Sequence, residues 1–450
     1  MSAALSAAAG GADVCLIDER KALGGSPDAL DRRGSDTRVA RDSALAIAKS
    51  RIDTHLDTVV WGLWDRQIAL VAGGRDGGVV EAGRLIVATG AYERPIVFPG
   101  WTLPGVVTAE EAESRVRAHA GSPPRILVAG SGPGLVPLAA RLHRAGATVA
   151  LVAEAAPRSS QGRDARRAVG ARGDLGTRPD EPAATYLRAH RVPILYSHLI
   201  MRAVGDHAVK QAVVARVGLD WRPRAGSERT VDVDLECLAY GLVPSTELTL
   251  LAGATHVEDE ARGGRVPAHD EWMRTTAAGV LVAGACAGTG NGRLAVVEGQ
   301  LAGIAAAMDV GRLSRAEAER RAAPVRRRLA RLQRLRTAVD RVYAPGPAVH
   351  ELVTPATMLC PCESVSVGRV AACLEDGLMD PGAIKAATRV GMGLCQARRC
   401  GRQLTALIAR HLGTPIAEIP VLTPRPPIRP VPLGAIAAER PERPRAPVLV

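Results

Sequence analysis

The sequence predicts an α/β fold made of two Rossmann-like dinucleotide-binding domains, the second inserted in the first, followed by a small helical domain. Three observations carry that expectation. DVCLIDER, from Asp13, reads as a short buried strand ending in acidic residues. RILVAGSGPGLVPLAARLHRAGATVALVAEAAP, from Arg125, runs strand, glycine turn, amphipathic helix and strand. Four cysteines gather between Cys360 and Cys400, after a charged helical stretch.

Composition limits the alternatives. A chain of 450 residues holds two to four domains at roughly 100 to 200 residues each. Hydrophobic residues make up 47% and charged residues 23%, which suits a globular chain with several cores. The net charge is +12, and with only four lysines (Lys21, Lys49, Lys210 and Lys385) nearly all of the basic residues are arginine. Nucleic-acid binding would need that charge gathered on one face, with aromatics for stacking. Aromatics are only 2%, so no nucleic acid is expected and the arginine is read as compositional. No run of 18 apolar residues occurs, so no transmembrane segment is expected. No positive residue precedes the apolar opening, which argues against a signal peptide, and the chain is expected in the cytoplasm.

Taken in order, SAALSAAAGGA reads as a helix leading into the strand of DVCLIDER. In dinucleotide folds the acidic residue after the second strand meets a ribose hydroxyl, which points to Glu19 or, second, Asp18. No strand and no GxGxxG stand ahead of this helix, so the first βαβ unit is expected to be truncated. Alternating strands follow and end in Ala88, Thr89, Gly90, and a later strand exits at Gly284. Small turns of this kind let backbone N–H groups approach a flavin or its pyrophosphate. In the second unit, Gly130 and Gly132 fit the tight turn and close phosphate approach. Glu154 lies 22 residues after Gly132, where the ribose contact belongs, and a nicotinamide dinucleotide is expected there. Arg158 keeps both NAD and NADP open.

Residues 311–337 are strongly charged, with Leu and Val at helical spacing around Pro324, and read as a bridging helix; from Thr414 onward proline dominates and an extended tail is expected. The cysteine group holds the sharpest signal. Cys360 and Cys362 form a CxC, 32 residues precede Cys395, and four more precede Cys400. Two close pairs of thiolates can hold a [2Fe–2S] cluster or a structural zinc. Zinc knuckles use wider spacing than CxC, so the pattern leans to iron and sulfur, with zinc, unligated thiols or a Cys395–Cys400 disulfide as alternatives. Arg398, Arg399 and Arg402 are placed to offset the cluster's negative charge. Cys15, Cys237, Cys286 and Cys373 read as packing residues. His55, His119, His143 and His256 read as non-catalytic, and no catalytic residue is assigned.

These residues carry a family resemblance. The C-terminal segment resembles the bacterioferritin-associated-ferredoxin-like [2Fe–2S] domain, with ligands on Cys360, Cys362, Cys395 and Cys400. ATGAYERPIVFPGWTLPGVVTAEEAES, GSGPGL and AYGLVPSTEL together resemble the A subunit of opine oxidase and the B subunit of hydrogen cyanide synthase. The alpha subunits of proline and hydroxyproline dehydrogenases and of sarcosine oxidase are similar. The resemblance implies a flavoprotein in which FAD contacts Glu19, Thr89, Gly90 and Gly284, and NAD(P) meets the turn at Gly130 and Gly132. It also implies an amino-acid-oxidase-like flavoprotein partner that binds the amine substrate, which makes this chain an electron-handling subunit. Two rival readings are a stand-alone NAD(P)H-dependent reductase and a cluster-bearing scaffold with a decayed FAD site. The chain departs from the family pattern where the usual Ala-Gly-Asp near the flavin reads Ala283, Gly284, Ala285. The expected domains are 1–118 and 236–310 for the FAD type, 119–235 for the NAD(P) type, 311–352 as helical linker, 353–413 for the cluster and 414–450 as tail.

Overall fold

The structure is a computed structural model, and it describes residues 1–24, 35–65, 67–74, 76–119, 121–158, 183–437 and 446–450. Its organising element is the 12-residue strand Asp76–Val87, which belongs to two kinds of sheet at once. Its first half pairs antiparallel with Gln67–Ala72, which pairs antiparallel with Thr58–Trp64. Its second half runs parallel to Ala446–Leu449 on one side and Val280–Val282 on the other. Beyond Ala446–Leu449 come Val14–Ile17 and Asp53–His55, both parallel. The apolar runs in these parallel strands are buried on both faces, as a parallel sheet covered by helices requires.

Helices Ser2–Ala9 and Gly292–Asp309 cover this first sheet, and both are built from small residues. A Cβ added at Gly303 would come within 2.3 Å of the Ala3 carbonyl oxygen, and one at Gly10 within 2.6 Å of the Ala307 Cβ. Alanine and glycine here allow a backbone-to-backbone approach that larger residues would prevent.

The second sheet has five strands, all parallel, in the order Ile194–Tyr196, Thr148–Glu154, Arg125–Gly130, Leu235–Ala239, Val106–Thr108. A three-stranded antiparallel sheet of His198–Val204, Gln211–Arg216 and Arg229–Asp232 adjoins it. The expected span of 119–235 is too narrow for this sheet, which draws Val106–Thr108 and most of Leu235–Ala239 from outside it. The reason is pairing: Glu236, Cys237 and Leu238 lie in register with Val106, Val107 and Thr108, and neither segment is long enough to announce its partner.

Arg315–Tyr343 is one helix, with Pro324 inside it. Ser314 caps it by accepting from the Glu317 N–H at 3.2 Å, a Ser and Glu arrangement typical of helix starts. The C-terminal domain folds around helices Val367–Glu375, Pro381–Thr388 and Gly401–Leu412 and the short hairpin of Met358–Cys360 with Val365–Ser366. The proline-rich stretch, expected to be only an extended tail, returns to the first sheet. Ile428 donates its N–H to the Trp61 carbonyl at 2.9 Å, Ala435 packs with Trp61 and Val71, and Ala446–Leu449 enters the sheet itself.

Candidate functional site

Two groups of residues lie at the carboxyl ends of parallel strands, where ligands bind in open α/β sheets, one in each large sheet, and a third lies in the C-terminal domain. In the first sheet, Val87 and Val282 are register partners, and the Ala283 N–H donates to the Val87 carbonyl at 3.0 Å. Thr89, Gly90 and Gly284 therefore leave the sheet side by side. Gly90 has φ +73°, and a Cβ there would meet nothing within 4 Å, so its backbone faces open space. Thr89 donates its hydroxyl to the Ser245 carbonyl at 2.7 Å. Glu19 lies exposed past the end of Val14–Ile17, 3.6 Å from Arg429 of the tail. Asp18 turns to its own backbone, accepting from the Arg20 N–H at 2.9 Å.

Sequence reasoning missed Glu298. It is buried on the helix Gly292–Asp309 and accepts from the Gly284 N–H at 3.0 Å. Burial pushes its carboxyl up to about 7, against the pull of that hydrogen bond, Arg336 and Arg262. A carboxyl at Gly284, where Ala285 offers none, comes from 14 residues downstream, so no local motif could reveal it.

The second turn is built as expected, with one difference. A Cβ at Gly130 would come within 2.2 Å of the Ala239 carbonyl oxygen, so glycine is required for the strand to pass. Gly132 has φ +149° and open space where its Cβ would be. Glu154 is wholly buried and turned inward, accepting from the Gly132 N–H at 3.3 Å and the Ala156 N–H at 2.9 Å. Burial pushes it up to about 7. It braces the turn from within rather than presenting itself to solvent.

The four cysteines of the C-terminal domain converge as two pairs. Cys360, on the hairpin, and Cys400, at the start of Gly401–Leu412, are both buried and hydrogen-bonded to each other. That contact, helped by the Gly391, Glu363 and Cys362 backbones, draws Cys360 down to about 6 and pushes Cys400 up. Cys362 is exposed and shares a hydrogen bond with Cys395, whose thiol burial pushes up. None of the eight cysteines is in a disulfide, and Cys373 lies against the core of this domain.

The arginines beside these cysteines face the nucleotide-type domains. Arg398 is 2.7 Å from Glu247, and Arg402 is 2.9 Å from Glu258 and also pairs with Glu260. Glu260 in turn meets Arg94 at 2.8 Å, and burial brings that guanidinium down to about 9. Arg399 stacks over Trp101, whose indole N–H donates to the Met358 carbonyl at 2.6 Å. Arg94 and Tyr92 sit on Ala91–Glu93 and its exit, just after Gly90. One short segment therefore links the flavin-type turn to the cysteine domain. The histidines noted in the sequence are all engaged. His55 meets Asp53, His119 the Ser122 carbonyl, His143 the Tyr186 hydroxyl, and His256 Thr249.

The comparisons with known proteins agree with this architecture. Residues 1–311 match the pyridine nucleotide-disulphide oxidoreductase family, and residues 357–440 match the sarcosine oxidase A3 domain. The chain is 30% identical to hydrogen cyanide synthase subunit HcnB of Pseudomonas aeruginosa, covering 97% of this chain and 95% of that protein. It is 31% identical to the A subunit of opine oxidase from Rhizobium meliloti, over 95% of this chain and 93% of that one. The L-proline dehydrogenase structure from P. horikoshii shares the fold, with a TM-score of 0.68 at 19% identity over 97% of this chain and 78% of that one. Among the described residues no helix is long and apolar enough to cross a membrane. With two nucleotide-type sheets, a cysteine domain and relatives matched over nearly their whole length, the chain belongs to the pyridine nucleotide-disulphide oxidoreductase family, in the group that includes hydrogen cyanide synthase subunit HcnB and the A subunit of opine oxidase.

Proposed function

We propose that the chain is the electron-handling subunit of a flavin-dependent dehydrogenase or oxidase of amines or amino acids, working in the cytoplasm beside an amino-acid-oxidase-like flavoprotein subunit that binds the amine. Its relatives are named as subunits of opine oxidase and hydrogen cyanide synthase, which supports both the chemistry and the partner. When bound, FAD and NAD(P) would exchange electrons in pairs and a [2Fe–2S] centre would pass them singly.

The observation that carries this reading is the pairing of the thiols. Cys360 with Cys400 and Cys362 with Cys395 make two close couples. The four thiols also act on one another across the couples, Cys395 on Cys360 and Cys400 on Cys362 and Cys395. Four thiolates gathered in this way suit a [2Fe–2S] centre, which takes two on each iron, and the CxC spacing of Cys360 and Cys362 favours it over zinc, whose paired ligands are spaced more widely.

The remaining residues have simple tasks. Gly90 leaves room for FAD, Gly284 takes a φ of +77° against Ala295, Thr89 fixes the turn, and Glu298 orients the Gly284 amide. Glu19 is exposed and available to a ribose. Gly130 and Gly132 shape the NAD(P) turn, and Glu154 holds it. No CxxC stands beside a dinucleotide helix, so dithiol exchange is not part of the reading.

The test is anaerobic reconstitution with ferrous iron and sulfide, followed by metal and sulfide analysis and electron paramagnetic resonance of the reduced protein. Two irons and two labile sulfides per chain, lost in Cys400→Ser and kept in Cys373→Ser, are expected. One zinc without labile sulfide would overturn the assignment.

A further inference from the structure

Among the described residues, Asp53–His55 is the outermost strand on its side of the first sheet, and it runs parallel to Val14–Ile17 with Cys15 in register with Asp53. Successive strand residues point to opposite faces. The Asp-Thr-His spacing therefore puts Asp53 and His55 on one face, and the register puts Cys15 on that face beside them. Each of the three offers a ligand atom, and these atoms all lie within 4.8 Å of one another. His55 Nε2 and Asp53 Oδ2 are 2.9 Å apart. Solvent reaches the group, because the Asp53 side chain is 66% exposed and that of His55 26%, while Cys15 is buried at its inner end.

We infer that Cys15, Asp53 and His55 form a zinc site, separate from the four C-terminal cysteines, with water in the fourth position. A thiolate, an imidazole and a carboxylate are each ligands that zinc takes. Calcium and magnesium take oxygen ligands, and copper(I) prefers sulfur to a carboxylate. With bonds of about 2.0 to 2.3 Å, tetrahedral ligands stand roughly 3.3 to 3.6 Å apart, so small side-chain movements seat the ion. Charge supports the same choice. One thiolate and one carboxylate cancel the two charges of zinc, so the ion adds no net charge beside the core to which Cys15 belongs. Binding releases the Cys15 thiol proton to solvent. The Asp18 N–H donates to the His55 carbonyl at 2.9 Å, so the ion clamps the outer strand to its neighbour just ahead of Asp18 and Glu19. The site uses none of the residues assigned above to FAD, NAD(P) or the cluster, and it stands apart from those readings.

Zinc analysis of the untagged full chain tests it, after loading with iron and sulfide, incubation with zinc chloride and dialysis. The parent should keep one zinc per chain that His55→Ala does not keep. Asp53→Asn should weaken binding, measured by chelator competition, by about ten-fold or more, the loss that removing even an outer-shell partner brings. Both variants alter partly exposed side chains and should melt with the zinc-free parent, which separates lost binding from lost folding. Equal zinc in the parent and His55→Ala, or parent-like affinity in Asp53→Asn, overturns the inference. Two zincs in the parent against one in His55→Ala leave this site standing and refute the iron–sulfur reading of the C-terminal cysteines instead.

Discussion

Glu236 is fully enclosed, and neither of its carboxyl oxygens meets a hydrogen-bond donor. Its strand neighbours Leu235 and Cys237 face one core of the second sheet, which puts Glu236 on the other side, with Leu238 and near Tyr240. Burial pushes its carboxyl from the ordinary 4.5 up to about 8. A raised carboxyl favours folding while it keeps its proton. The benefit is therefore whole below pH 4.5, drains as pH rises through the folded value near 8, and is gone above it. Glu236→Gln removes that dependence. Its stability relative to the parent should climb between pH 5 and pH 9 by on the order of 4 kcal/mol, read by chemical denaturation at each pH. A difference that stays flat across that range would show that Glu236 has a partner. The residue was illegible in the sequence, because an acidic residue in an alternating strand reads as solvent-facing. Gly130 and Gly132 were legible, because a tight turn between strand and helix is a local demand. Glu154 was half legible: its position was right, but which way a carboxyl turns depends on which backbone amides lie closer.

At the scale of an element, the helix Gly401–Leu412 shows how the cysteine domain is held. It begins at Gly401, directly after Cys400, and its buried face includes Leu404, Leu407 and Ile408. The neighbouring arginines were read from sequence as donors toward the cysteines. Arg398 does donate to the Cys395 carbonyl at 3.2 Å, but Arg398 and Arg402 pair mainly with Glu247, Glu258 and Glu260, and Arg399 lies over Trp101. Those partners come from residues more than 140 positions away, beyond the reach of spacing arguments. Removing Arg402 takes one charged hydrogen bond from each carboxylate while Arg94 stays beside Glu260 and Arg265 beside Glu258, at a cost of about 2 kcal/mol. Arg402→Gln should therefore raise exchange rates across 401–412 and free the domain edge to protease. Arg402→Lys should recover only part of the loss, since one ammonium cannot span both carboxylates as a guanidinium does. If Arg402→Gln exchanges and melts like the parent, the network does not hold the helix.

For the whole molecule, the chain's path matters more than its domain list. It lays down most strands of the first sheet, builds the second, returns with Val280–Val282, crosses the helix Arg315–Tyr343, forms the cysteine domain, and comes back to the first sheet through the tail. The tail fastens at several points: Arg398 to the Ile428 carbonyl, Ile428 to Trp61, Arg429 near Glu19, and Val448 and Leu449 in the core. The cysteine domain thus lies between two segments that both belong to the nucleotide-type body. A structure closed in this way should unfold as one unit rather than domain by domain. Loading iron and sulfide onto the four cysteines stabilises whatever is folded with them, because ligands that bind only the native state shift its equilibrium. The expected outcome is one melting transition, with tryptophan fluorescence and the visible absorbance of the centre changing together, and the whole curve moving up on reconstitution. Trp61 reports on the first sheet and Trp101 on the contact with the cysteine domain, so the two ends of the path are both observed. Should the centre's absorbance vanish at a lower temperature than the tryptophan transition, with the latter unmoved by iron, the domain would be an independent appendage and the tail merely its tether.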